Sequence, residues 1–266
     1  MQCQDIVKLL DALSPKKYAC DWDNVGLLVG RRKKEVHKIL VALDASKEVI
    51  SYAVENGYDM LVTHHPMIFS SVKKVNEDDF VSEKILTLAE HQISYYAMHT
   101  NFDAVGGMAD LAAGPEYLNL SDTSPIDFCD VDGGTEGMGR YGKLPKSMTA
   151  KEVAELVKEE FHMDFVMLYQ SKEQKDKKFD RIAVMPGAGK SEMQAVKKEG
   201  YDLYLTGDYG HHSGLDAMDM GMTVIDATHF GLEHIFIKYI ENYLKEQIGD
   251  AVIINGMKQT CPVQVL

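Results

Sequence analysis

The stretch Tyr58-Asp59-Met60-Leu61-Val62-Thr63-His64-His65-Pro66 decides how this chain is read. An apolar run of strand-forming residues leads into two adjacent histidines and stops at a proline, which steers His65 away from helical backbone angles. The histidines therefore leave the rigid end of a buried strand. On an extended backbone neighbouring side chains point to opposite sides, so the pair is expected to serve two adjacent ions, or a shared bridge, unless the chain bends.

Two other segments have the same build. Tyr95-Tyr96-Ala97-Met98-His99 is an apolar run ending in histidine, with Asp103 four residues on, and Val224-Ile225-Asp226-Ala227-Thr228-His229 is followed by Glu233 at the same spacing. Residues i and i+4 share a helix face, and imidazole with carboxylate suits a divalent transition metal. Without thiolate, these donors admit zinc, iron, manganese, cobalt or nickel.

Upstream of the first histidines, Lys38–Asp44 reads as a strand and Ser46–Asn56 as a helix capped by Ser46 and Gly57. Strand, helix and strand joined by short turns make a parallel βαβ unit, with the histidines at the carboxyl end where open α/β sheets bind ligands. The plan recurs. Asp180–Pro186 is a strand, Gly189–Glu199 a helix, and Gly200-Tyr201-Asp202-Leu203-Tyr204-Leu205-Thr206 answers residues 57–63 at an offset of 143 positions. His99 and Asp103 precede His229 and Glu233 by 130. A duplicated module implies two similar α/β lobes, 1–127 and 128–266, related by a pseudo-two-fold that would bring both sets of strand exits to a metal site in the interlobe cleft. The glycine-dense segment 133–143 is the expected linker, with Arg140 in reach of an anion.

The 266 residues suffice for two such lobes, and 45% hydrophobic content is that of a globular core. A formal net charge of −13 disfavours nucleic-acid backbones. The cysteines Cys3, Cys20, Cys129 and Cys261 form no Cys-x-x-Cys pair. Ile6, Leu9, Leu10 and Leu13 lie on one face of an N-terminal core helix, which does not read as a signal peptide, and no apolar run is long enough for a membrane span. A cytoplasmic protein is expected. Trp22, in Trp22-Asp23-Asn24-Val25-Gly26, reads as a core plug beside a turn, with a cleft wall as the other reading. Gly187-Ala188-Gly189-Lys190-Ser191 lacks the first glycine of a phosphate-binding loop, since position 184 is Val184, and is kept as a weak ligand contact. His211 and His212 follow the second copy's strand later than His64 and His65 follow the first. They are candidates for a catalytic proton donor or substrate contact, imidazole being the side chain that changes charge near neutral pH.

Trp22-Asp23-Asn24-Val25-Gly26, Thr63-His64-His65-Pro66, His99-x-x-x-Asp103, Gly137-x-Gly139-Arg140-x-Gly142-x-Leu144, Thr206-Gly207-Asp208 and His229-x-x-x-Glu233 stand in the order found in the GTP cyclohydrolase 1 type 2 family, also called NGG-one-interacting factor three-like. The chain resembles that family over nearly its whole length. The resemblance implies a toroidal homohexamer, a pair of divalent ions held by His64, His65, Asp103, His229 and Glu233, and His99 as an outer or occasional ligand. It also implies GTP as substrate, attacked at C8 of the guanine so that the imidazole ring opens and formate leaves. The same ligands would serve a metal-delivery or regulatory protein without turnover, or a two-metal phosphoesterase.

Overall fold

The computed structural model describes residues 1–129 and 136–265. The chain divides into two compact units, one of residues 1–106 with 236–260, the other of residues 107–235 with 261–266.

In the first unit, helix α1 (Cys3–Leu13), strands β1 (Gly26–Val29) and β2 (Lys38–Ala42), helix α2 (Lys47–Glu55), strand β3 (Met60–Thr63), helix α3 (Phe80–Glu90), strand β4 (Ser94–Ala97) and helix α4 (Thr100–Ala104) follow in order. Their sheet runs β1, β4, β3, β2 and ends on a strand from the far end of the chain. Strands β2, β3 and β4 are parallel, and β1 is an antiparallel edge. Both faces of the parallel strands are buried, hence their near-continuous apolar sequence. Leu40, Ala42, Leu61 and Tyr95 face a cluster with Val49, Ile50 and Ala53 of α2 and Leu88 of α3. The Ser46 hydroxyl caps α2 by accepting from Val49 N at 3.2 Å.

The second unit holds α5 (Met108–Ala113), β5 (Ser121–Phe128), β6 (Gly137–Thr149), α6 (Ala150–Glu160), β7 (Met167–Tyr169), β8 (Lys178–Val184), α7 (Met193–Lys198), β9 (Leu203–Thr206), α8 (His211–Asp219), β10 (Thr223–Asp226) and α9 (His229–Glu233). Its sheet order is β5-β6-β8-β9-β10-β7. Strands β8, β9 and β10 are parallel and β7 is an antiparallel edge beside β10. The series α6-β7-β8-α7-β9-α8-β10-α9 thus repeats α1-β1-β2-α2-β3-α3-β4-α4, and the duplication extends outward from the quoted strands to a leading helix and an edge strand. Thr149 and Glu152 close a capping box on α6. The expected helix at residues 189–199 instead opens with a 3-10 turn at Gly189–Glu192.

Two expectations are corrected by strand pairing. The division falls at Gly107, not near 128, because β5 pairs with β6, and α10 (Ile235–Ile248) and β11 (Ile253–Gly256) return to the first unit, β11 pairing in parallel with β2. Nor are the glycines of 137–142 a linker. They lie inside β6, where a Cβ on Gly137 would stand 2.1 Å from Asp127 O and one on Gly142 2.9 Å from Leu120. Gly133 and Gly134 lie outside the described residues. Among the described residues no helix is long and apolar enough to cross a membrane.

Candidate metal centre

The residues after each parallel strand carry the chemistry. In the first unit β2 is followed by Asp44, β3 by His64 and His65, and β4 by His99 and Asp103. The chain bends as soon as β3 ends, so the expectation that His64 and His65 diverge is corrected. Their ring centroids are 4.8 Å apart. The bend has a cause in buried hydroxyls. Thr63 Oγ1 and Tyr95 Oη both donate to the His65 carbonyl, at 2.8 and 2.9 Å, and Tyr95 Oη accepts from Met67 N at 2.9 Å. Burial pushes the Tyr95 phenol up to about 12, so it stays a neutral donor.

His64, His65 and His99 each offer a ring nitrogen within 4.8 Å of the others, a group able to hold a metal ion. His64 is fully buried; its Nδ1 lies 2.8 Å from the Met98 carbonyl, to which it donates, and its Nε2 lies 3.5 Å from Asp103 Oδ1. His65 donates from Nδ1 to Asp44 at 2.8 Å, and His99 from Nδ1 to Asp23 at 3.0 Å. An imidazole whose Nδ1–H is held by an oxygen presents Nε2 as the metal donor, with its ring orientation fixed. His99, an outer residue in the sequence-based expectation, has the same support as the other two.

In the second unit His229 opens α9 and its Nδ1 donates to Asp208 at 2.9 Å; its Nε2 lies 3.1 Å from Glu233 Oε2. Glu233 is buried. A Cβ on Gly187, whose φ is +76°, would stand 2.6 Å from Glu233 Oε1, so this glycine makes room for the carboxylate. Gly189 is explained by packing: its Cβ would meet Tyr204 Oη at 2.2 Å. The buried Asp226 joins the two loops of this half, accepting from Tyr209 N at 3.0 Å and from Thr228 N at 2.9 Å. Thr228, immediately before His229, has φ +58° and ψ 158°. For a β-branched residue this backbone costs ~1–3 kcal/mol. It is held by the Thr228 hydroxyl, which accepts from Gly231 N, and by the close passage of Gly207, whose Cβ would lie 2.6 Å from His229 N.

His211 and His212 are the first two residues of α8 and are exposed, their rings 5.2 Å apart. Two other expectations are corrected. Arg140 is not left to reach an anionic ligand. It is buried against Asp110 and the carbonyls of Gly137 and Gly139. Trp22 is not a core plug: it is 58% exposed, its ring 6.0 Å from that of His99.

The acids Asp23, Asp44 and Asp208 were missed as imidazole partners. Position relative to the strands could have signalled two of them, since Asp44 directly follows the β2 region and Asp208 the β9 region. Asp23 is the most enclosed. Burial pushes its carboxyl up, but hydrogen bonds from His99, Thr100 Oγ1 and Thr100 N outweigh this and hold it down at about 2. Asp23→Asn is expected to weaken divalent-metal affinity ~10–100-fold, read by chelator competition. The same carboxylate makes an acid-side prediction. Its folded-state value lies below that of an exposed aspartate, so its stabilisation is complete above about pH 4 and is lost as pH falls through about 2. Urea unfolding over that window should show wild type losing stability relative to Asp23→Asn.

The class is that of a doubly built α/β protein whose histidines and carboxylates at the carboxyl ends of the parallel strands form groups able to hold a metal ion. A family model described as Duf34/NIF3 (NGG1p interacting factor 3) matches residues 1–261, and the chain belongs to that family. It is 33% identical to a Clostridium perfringens protein named GTP cyclohydrolase 1 type 2 homolog, over 95% of this chain and 94% of the relative. Among solved structures, reduced HcgD from Methanocaldococcus jannaschii superposes with a TM-score of 0.81 at 32% identity, covering 96% of this chain and 97% of that one. A Bacillus cereus protein related to NIF3 shares the fold with a TM-score of 0.92 at 23% identity, over 100% and 99% of the two chains.

Proposed function

We propose that the protein is a divalent-metal-dependent hydrolase of the GTP cyclohydrolase type, with His64, His65, Asp103, His229 and Glu233 holding two ions and His99 beside them as an occasional ligand. The observation that carries this reading is the shared anchoring of the imidazoles. In His65, His99 and His229 a carboxylate accepts the hydrogen bond from Nδ1–H, and in His64 a backbone carbonyl does. Four rings held this way are pre-organised for cation binding. Bound divalent ions supply Lewis acidity and lower the pKa of water toward neutrality.

The protein's own groups do the rest. Asp23, Asp44 and Asp208 keep the donor rings in one tautomer and orientation, and the strained Thr228 backbone fixes the start of α9. Water adding at C8 breaks one C8–N bond and leaves a formamide on the other nitrogen, and a second water cleaves that amide to release formate; His211 and His212, exposed at the head of α8, are assigned delivery of a proton to the departing ring nitrogen. The relatives' name and the resemblance of the motifs support GTP as the substrate. The family resemblance also supports a homohexamer, which light scattering of the purified protein would check.

The test is GTP turnover by protein as purified, followed by formate release. Formate appearing in proportion to GTP consumed supports the reading. Intact GTP with tightly held metal would favour a delivery or regulatory role, and turnover of bis(p-nitrophenyl) phosphate without formate would favour a phosphoesterase.

A further inference from the structure

The mechanism leaves one feature of the first unit unused. Trp22 and Phe69 are 58% and 55% exposed, although together they are among the most costly side chains to leave in water. Their ring centroids are 5.6 Å apart with planes inclined by 38°. The His99 ring stands edge-on to both, 6.0 Å from Trp22 and 6.3 Å from Phe69, and itself lies 5.2 Å from His64 and 5.5 Å from His65. The two exposed rings thus adjoin the imidazole cluster through one shared neighbour.

The segment carrying Trp22 is fastened on both sides. Cys20 N donates to Thr100 Oγ1 at 2.9 Å, and the Asp23 carboxylate accepts from Thr100 N, Thr100 Oγ1 and His99 Nδ1. Asn24 Nδ2 donates to the Ile68 carbonyl at 2.6 Å, tying the turn to the segment that presents Phe69. Both rings are therefore held at the head of α4, in fixed relation to His99. Exposed aromatic surface that is rigidly presented beside polar donors fits a ligand with a flat apolar face and a polar edge.

We propose that Trp22 and Phe69 form a stacking platform for a planar heteroaromatic ring of purine type, placing the edge of the ring toward His99. The ligand class rests on the nucleotide reading given above; the platform itself rests on ring geometry and exposure. Stacking of a base on an aromatic side chain is sequence-tolerant and pre-organised here, so the rings select flat ligands and the polar groups select among them.

Trp22 is the chain's single tryptophan, so its fluorescence reports from the proposed contact alone. Titration of the full chain with GTP and with guanosine is expected to quench it, whereas inorganic tripolyphosphate, which has no base, is expected to leave it unchanged. By calorimetry Trp22→Ala should weaken guanosine and GTP binding about tenfold or more, Trp22→Phe should restore most of the affinity, and Phe69→Ala should weaken it less. Guanosine quenching without formate release from GTP would retain the platform and remove the hydrolase reading. Formate release with GTP bound and Trp22 fluorescence unmoved would do the reverse. Unchanged guanosine affinity in Trp22→Ala overturns the proposal. So does a change of oligomeric state in that variant without loss of guanosine affinity, which would make the exposed rings a contact between copies.

Discussion

Glu233→Gln is expected to retain the fold and lose the metal. Glutamine has the shape of glutamate but not its charge, and the space that Gly187 leaves beside Oε1 accommodates either. Glu233 is a buried carboxylate with its Oε2 3.1 Å from His229 Nε2, so the substitution removes the one charge of the α9 pair that attracts a cation. Loss of a direct ligand should exceed the ~10–100-fold cost of an altered outer group, and formate release should fall by at least as much. Stability separates this from misfolding. Without metal the variant should be as stable as wild type or more so, because an amide is cheaper to bury than a carboxylate. With metal at ~1,000 times the wild-type Kd, linkage stabilises wild type by ~4 kcal/mol, and a 100-fold weaker variant by only ~1.4. Thermal unfolding with and without metal measures both halves of the prediction.

Asp110→Ala is expected to cost stability without touching the metal donors. Asp110 on α5 meets Arg140 on β6 through two bonds of 2.6 Å, and Arg140 Nη1 donates to Gly137 O and Gly139 O at 2.5 and 2.8 Å. The guanidinium side chain is 5% exposed and the carboxylate 51%. Removing the acid leaves a buried cation with two uncharged carbonyl partners and only the distant Glu136 carboxylate, at 4.0 Å, to offset its charge. Breaking buried pairs in this way costs ~3–5 kcal/mol, and the half-exposed acid places this one at about 3. At ~2–4 °C per kcal/mol for a domain of ~150–250 residues, calorimetry should show a fall of about 6–12 °C. Asp110→Ala combined with Arg140→Met should recover much of the loss, since the uncompensated charge is gone. If Arg140 served an anionic substrate instead, Asp110→Ala would alter GTP turnover more than Tm.

Much of this was legible in the amino-acid order because it is local. The strand ending at Thr63, the capped helix α2 and the spacing of His229 and Glu233 are set within a few residues, and the repeat is written in matching strings. What was hidden is carried by contacts between distant residues. β11 pairs with β2 from the other end of the chain, which no periodicity shows. The bend that unites His64 and His65 depends on the Tyr95 hydroxyl, thirty residues away. The partner of His99 is Asp23, and a tryptophan inside a tight turn, closed by Asp23 N donating to Cys20 O, gives no sign of whether it points inward or out. Glycines in β6 imitate a linker because close packing and flexibility both select the smallest residue.

The proposed function requires histidine and carboxylate donors that hold divalent ions. Elemental analysis of the full chain, purified without added metal or chelator, tests it most directly, with His64→Ala and Glu233→Gln alongside. The expected result is about two divalent transition-metal ions per wild-type chain, with strongly reduced content in both variants. Wild-type protein that carries no metal and takes none up on dialysis against zinc, iron, manganese, cobalt or nickel, or variants that retain the full complement, would contradict it.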